Sequence, residues 1–242
     1  MNENEKLDTG NVSIKKGKFL RWLDNFWYHY KWHSLIAAFL IFTVTVCTVQ
    51  MCRKESYDMH ILYAGGHSFQ RNSEDGDYPE YTKAKTTLKS FISDYDGNGE
   101  VDFSLRDLFI PNEEDMKGMS ESQFQLAYND REIMKSLMLS SDYYLCFFSA
   151  EAYDSFTRPE ALRNLTDFVA EGVSVKYYKD SPYAIYLNST NFSNLAGFSA
   201  LPDDTLIVLR STVGSTPLNK ESNEKQYKRA EETLIKILNY GK

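Results

Sequence analysis

The nineteen residues Ser34–Cys52, SLIAAFLIFTVTVCTVQMC, carry no charged side chain. A helix needs about 20 mostly apolar residues to cross the hydrocarbon core of a bilayer. Only a helix or a closed barrel can satisfy its own backbone there. The segment is therefore expected to be a single transmembrane helix, which divides the chain into a short N-terminal part and a larger domain over residues 53–242. A core helix of a soluble protein normally keeps one polar face, and this run offers little beyond threonines. A cleaved signal peptide would place a small-residue site just after its apolar core. No Ala-x-Ala pattern follows here, and Cys47 and Cys52 follow Val46 and Met51 rather than the small residue of a lipoprotein signal. The flanks point to an uncleaved signal anchor.

Charge predicts the orientation. Residues 1–52 hold six basic side chains (Lys6, Lys15, Lys16, Lys18, Arg21 and Lys31) and four acidic ones. The remainder holds 21 basic and 30 acidic, a net of −9. Excess Lys and Arg near a span marks its cytoplasmic end, so the N-terminus is expected inside and the large acidic portion outside the cell membrane. Residues 1–16 are polar and unpatterned and are read as a disordered cytoplasmic tail. Phe19, Trp22, Leu23, Phe26, Trp27 and Tyr30 recur at helical spacing. All three tryptophans of the chain lie in this stretch. Aromatic rings and basic side chains favour the headgroup zone, so 17–33 reads as an interfacial amphipathic segment, either a separate helix or a plain juxtamembrane anchor. The bilayer is thus the first expected partner.

The outer portion is long enough for one domain with its own core. Beyond the span it contains one cysteine, Cys146, so no disulfide framework is available. That points away from secreted eukaryotic domains and towards a Gram-positive surface. Its acidic balance excludes nucleic acid, which needs basic surface.

Strand and helix patterns alternate. Tyr57–Ala64 reads as a strand entering Gly65-Gly66. Tyr81, Ala84, Leu88, Phe91 and Ile92 form a helical stripe. Strand character returns over Val101–Ile110 and stops at Pro111. A polar loop over Glu113–Ser120 leads to a long helix, Gln123–Ser140. Asp142–Phe148 is an apolar run of the kind covered on both faces, and Ser149 caps a helix to Phe156. Leu162–Val169 reads as a short helix; Val173–Tyr178, Tyr183–Leu187 and Thr205–Arg210 read as strands. Tyr227, Ala230, Leu234, Ile237 and Leu238 mark a C-terminal amphipathic helix. The expected fold is an α/β domain with its sheet between helices.

One loop has ligand-type spacing. Asp94-Tyr-Asp96-Gly-Asn98-Gly-Glu100-Val-Asp102 places hard oxygens at positions 1, 3, 5 and 9 of an EF-hand-like loop, with Gly at 6. Leu105 stands where the bidentate Glu should be. The readings are a helix-loop-strand Ca2+ site using Asp94, Asp96, Asn98, Asp102 and the backbone carbonyl of Glu100, or a polar turn built on Asp-Gly and Asn-Gly.

Other motifs are thin. The outer portion has two histidines, His60 and His67, and contains no HExxH, CxxC, Walker, dinucleotide or Gly-x-Ser-x-Gly pattern. Gly197-Phe-Ser199-Ala-Leu201 misses the last at its final position. Cys146 sits inside a buried-strand pattern and reads as a core thiol, with a pairing to His67 the alternative. Ligands in open α/β sheets bind beyond the carboxyl ends of strands. That rule nominates Gly65, Gly66, His67, Ser149 and Arg210 for ligand binding, with His67 and Arg210 contacting an anionic or polar group. Ordinary strand-to-loop junctions are the alternative reading.

Taken with the basic-aromatic N-terminus and the span, YDMHILYAGGHSF, DYDGNGEVDFSL, SDYYLCFFSAEAYDSF and LPDDTLIVLR resemble a family of uncharacterised single-pass membrane proteins of Gram-positive anaerobic bacteria. That family carries no activity to transfer. Ser141-Asp142 opening a strand, the helix to Phe156, then Leu162-Arg-Asn-Leu165-Thr166-Asp167 is similar to a passage of extracellular solute-binding proteins, implying a reduced version of that fold. The expected function is a membrane-anchored extracytoplasmic binding or interaction domain, accessory to a transport or envelope system, with a small solute or a membrane protein as partner. A surface hydrolase acting through carboxylates or Ser68/Ser149 and a purely structural envelope protein are the other two readings.

Overall fold

The computed structural model describes residues 17–52, 57–69, 78–139, 142–212 and 220–242. The 1–16 tail and the Arg53–Lys54 pair lie outside them. The chain divides into two compact units, Met1–Glu55 and Ser56–Lys242.

Among its described residues the first unit contains one helix, α1 (Lys18–Cys52), 35 residues without a break. The aromatic segment and the apolar segment are thus one element, about 52 Å long at 1.5 Å per residue. Backbone continuity has a simple reason: residues 18–52 include neither Pro nor Gly to interrupt the ladder. Its stretch Asn25–Val49 is long and apolar enough to cross a membrane and is not buried against the protein. The helix therefore fits a membrane anchor or signal sequence. Trp22, Phe26 and Tyr30 stack successively along one side, with centroids 5.6 and 5.4 Å apart. The hydroxyls of Thr43, Thr45 and Thr48 each donate to the carbonyl four residues earlier at 2.8–2.9 Å. These polar groups are satisfied within the helix, as a lipid environment requires.

The second unit is a five-stranded sheet in the order β2-β1-β3-β5-β4. The strands are β1 (Met59–Gly65), β2 (Phe103–Phe109), β3 (Leu145–Phe148), β4 (Ala184–Tyr186) and β5 (Leu206–Leu209). β1 pairs in parallel with β2 and β3, Ile61 facing both Leu105 and Leu145. β5 runs antiparallel to β3 and to β4. The helices are α2 (Pro79–Lys89), α3 (Glu113–Met116), α4 (Glu121–Leu139), α5 (Ala150–Phe156) and α6 (Lys220–Leu238).

Strand alternation sorts the core into two layers. Ile61, Tyr63, Leu145, Phe147, Ile207 and Leu209 pack with Ala84 and Leu88 of α2 and Ala230, Leu234 and Ile237 of α6. Leu62, Ala64, Cys146, Phe148, Leu206 and Val208 pack with Met134 of α4 and Ala152 and Tyr153 of α5. Consecutive strand residues are buried on opposite faces, which is why β1, β3 and β5 read as unbroken apolar runs. The mixed α/β architecture follows the expectation.

Elements held by local contacts differ from it. Leu162–Val169 forms no continuous helix. Two single 3-10 turns, Pro159–Ala161 and Thr166–Phe168, flank an isolated bridge from Leu162 to Arg210. Val173–Tyr178 contributes only one bridge, Tyr177 to Ile185. The expected loop at 113–120 contains α3, because the Asn112 side chain accepts the Asp115 N–H and caps its first turn. Cys146 is fully buried, and burial pushes its thiol pKa up to about 12 against the opposing pull of Arg210. It is an inert core thiol.

Candidate functional site

β2 lies on one side of β1 and β3 on the other. The strand order therefore reverses at β1, and the splayed connections leave a crevice beyond the carboxyl ends of β1 and β3. A cavity of about 320 Å³ occurs there. Gly66 and His67 after β1, Asn112 after β2 and Ser149 and Glu151 after β3 line it, with Asp115 and Asp204. Three of the five sequence-nominated binding positions, Gly66, His67 and Ser149, thus line the cavity, and Gly65 ends β1 beside them.

Hydrogen bonds hold the walls. The Ser149 N–H donates to Ala64 O at 2.9 Å and the Ile110 N–H to Gly65 O at 2.7 Å, carrying the ladder past the strand ends. The Ser149 hydroxyl accepts the Ala152 N–H at 3.2 Å and caps α5. Arg131 of α4 donates to Pro111 O at 2.8 Å and to Glu151 Oε1 at 3.0 Å, tying the loop after β2 to α5. His67 Nε2 lies 3.4 Å from Glu80 Oε2, its ring edge-on to Phe69 at 5.4 Å. The Ala150 N–H donates to Asp204 Oδ2 at 3.3 Å.

Gly65 is demanded by close approach. A Cβ there would lie 2.7 Å from the Tyr63 hydroxyl and 3.3 Å from Ser149 Cβ. The Tyr63 side chain is buried beneath it. Burial first, then the charges of Asp107 and Asp204, push its phenol well above the ordinary range, so it stays neutral.

Arg210 is the correction. It follows β5, but β5 runs antiparallel to β3, so its carboxyl end lies at the opposite end of the strands from the cavity. Its guanidinium donates to Leu137 O, Met138 O and Tyr143 O at 3.2, 2.6 and 3.0 Å. Arg210 ties off the carbonyls at the end of α4. Strand direction is a tertiary property, and no residue near Arg210 announces it.

The acidic loop lies between α2 and β2, in the helix-loop-strand arrangement. The Asp94 carboxylate accepts the Gly97 and Gly99 N–H groups at 2.7 and 2.8 Å. These bonds, led by Gly99, hold its pKa below the ordinary value. Asp96 accepts the Asn98 N–H at 3.0 Å, and Asn98 Oδ1 accepts the Glu100 N–H at 2.7 Å. Gly97 and Gly99 both have positive φ, which glycine adopts without steric cost. The carboxylate oxygens of Asp94 and Asp96 gather with those of Asp58 within 4.8 Å, an acidic cluster that could hold a metal ion. The Asp102 carboxylate, expected as a ligand, is outside that cluster. The Asp102 N–H donates to Asp58 Oδ2 at 3.0 Å instead.

Sequence reasoning missed Asp58, Asp115 and Asp204. Asp58 precedes β1 and is remote from the loop in sequence, so spacing could not include it. Asp204 carried a weak signal in the Pro202-Asp-Asp turn. No family model matches the chain, and neither a curated protein nor a solved structure matches it. The resemblances drawn from the sequence gain no support from these comparisons.

Proposed function

We propose that the chain is a membrane-tethered, extracytoplasmic binding domain that takes a small polar ligand in the cleft beyond β1 and β3. The observation that carries this reading is the cavity itself. It sits where the strand order reverses, is lined by polar groups from three connections, and is near the lower end of small-molecule site volumes. The apolar, unburied stretch of α1 supports the tether, and the basic N-terminal flank supports an outward domain. A hydrolase reading gains less from the geometry. The Ser149 hydroxyl is occupied as a helix cap, and Ser68 donates to Asp107 Oδ2 at 2.9 Å.

The test blocks the cleft. A side chain at Gly66 has room, since its Cβ would meet nothing closer than Pro111 Cα at 3.8 Å. Gly66→Phe is expected to melt within about 1 °C of wild type, as a surface substitution should, while compounds that raise the wild-type melting temperature in a small-molecule screen no longer do so. Compounds that stabilise both proteins equally bind elsewhere and defeat the reading. Protease added to intact cells should cleave within 57–242; protection of that portion would reverse the orientation.

For the acidic loop, calcium is the proposed ion and its role is structural. Hard oxygens and an extracellular site suit a weak calcium loop, working at the millimolar end of the range. The full chain is expected to melt higher in calcium than in chelator, and Asp94→Ala and Asp96→Ala should abolish the difference. Equal melting of wild type in both conditions would leave the loop a turn closed by its own side chains.

A further inference from the structure

From the cleft just described, and resting on its being a binding site, we infer that the ligand is a small organic cation, a protonated amine. The sequence alone suggested an anionic or polar group met by His67 and Arg210. Three observations favour a cation instead.

The first is the position of Arg210 at the opposite end of the strands, where its guanidinium is taken up by the end of α4. Among the described residues lining the cavity there is then no Lys or Arg. Arg131, which bonds the lining residue Glu151, is committed to it and to Pro111 O.

The second is what fills the start of α5. In this topology an anion would meet the exposed N–H groups after β3. Here the Ser149 hydroxyl accepts one of them and the Asp204 carboxylate accepts another, that of Ala150. The protein's own anion occupies the position.

The third is the charge left facing the cavity. Asp204 spends one oxygen on Ala150, and Glu151 spends one on Arg131. Asp115 Oδ2 lies 4.0 Å from the Cβ position of Gly66, directly at the mouth. Three carboxylates against one committed guanidinium leave a negative cleft. A carboxylate ligand would meet this field unpaired. An ammonium would find two or three charged acceptors, the strong kind of hydrogen bond, and Asn112, whose Oδ1 caps α3, still offers its amide N–H to a polar tail.

The experiment uses the full chain in detergent micelles and three four-carbon probes of matched length: butane-1,4-diamine, butane-1,4-diol and succinate. Backbone amide shifts of Gly66, Ser149 and Ala150 are followed by NMR. The diamine is expected to shift them saturably, the diol at least about tenfold more weakly, and succinate not at all. Asp204→Asn retains an acceptor for the Ala150 N–H, and Asp115 faces solvent, so Asp204→Asn and Asp115→Asn should fold. Each is expected to weaken the diamine roughly tenfold. Succinate or the diol binding as well as the diamine, or an undiminished diamine affinity in both variants, overturns the cation inference and leaves the cleft intact. If none of the three probes moves these amides while library compounds displaced by Gly66→Phe do, the amine inference alone falls. Silence from probes and library together removes the cleft as a site.

Discussion

Gly197→Ala is expected to destabilise the outer domain by about 3–5 kcal/mol, from left-handed backbone strain and a backbone clash together. Gly197 has φ +85°, and a Cβ built on it would lie 2.3 Å from Ala84 N and 2.5 Å from Ala84 Cα. Both are backbone atoms of α2, which has no rotamer to change and must move bodily. The contact is general along this face. Thr87 Oγ1 donates to Ala196 O at 2.8 Å, and the neighbouring Phe198 is buried against Phe147 and Phe192, with centroids 5.4 and 4.5 Å away. Pushing α2 outward therefore opens the larger core layer. Gly172→Ala is the control. Its φ is +84°, but nothing lies within 4 Å of the added carbon, so only the backbone cost of about 1–2 kcal/mol remains. Urea unfolding of the full chain, followed by tyrosine near-UV circular dichroism, measures both. Equal losses in the two variants would mean that close packing of α2 on Gly197 contributes nothing.

Asp58→Ala is expected to cost about 3–4 kcal/mol, because a charged acceptor vanishes and buried donors are stranded. Asp58 is 1% exposed. Its two carboxylate oxygens accept the N–H groups of Tyr95, Asp96 and Asp102 at 2.8, 3.3 and 3.0 Å. Its backbone adds two more ties: the N–H donates to Asp102 O at 2.7 Å, and the carbonyl accepts from Arg229 of α6 at 2.9 Å. Arg229 stacks over the Tyr95 ring at 4.8 Å, and the Tyr95 hydroxyl donates to Glu232 at 2.9 Å. One side chain thus fastens the acidic loop to the start of β1, beside its attachment to α6. Asp58→Asn keeps the size and one oxygen acceptor, so it should fall between wild type and Asp58→Ala. Asp58→Ala should also lose any stabilisation by calcium, since the cluster then keeps only Asp94 and Asp96. An Asp58→Ala protein within about 1 kcal/mol of wild type in the same urea experiment would show that the loop closes without this carboxylate.

Legibility followed the range of the forces involved. α1, β1, β2, β3 and β5 each announced themselves because periodicity and apolar run length are written in adjacent residues. The Ser149 cap was legible for the same reason, its partner Ala152 being three residues away. Apart from β4, residues 159–201 were read less well. There the chain is held by single bridges and 3-10 turns, such as Leu162 to Arg210 and Asn191–Asn194. Such contacts leave no repeating pattern.

The cleft divides along the same line. Gly65, Gly66, His67 and Ser149 could be nominated because glycine pairs and caps mark where strands end. What surrounds them could not. Asp204 reaches the start of α5 across 54 residues, and Asp58 reaches Tyr95 across 37. By itself the sequence determined that an apolar helix precedes an acidic α/β domain, and where most strands and helices of that domain begin and end. Only the tertiary structure decided which way β5 runs, and with it the sign of the cleft's charge. Strand direction is set by which long-range pairing buries the most apolar surface, and that competition involves the whole sheet at once.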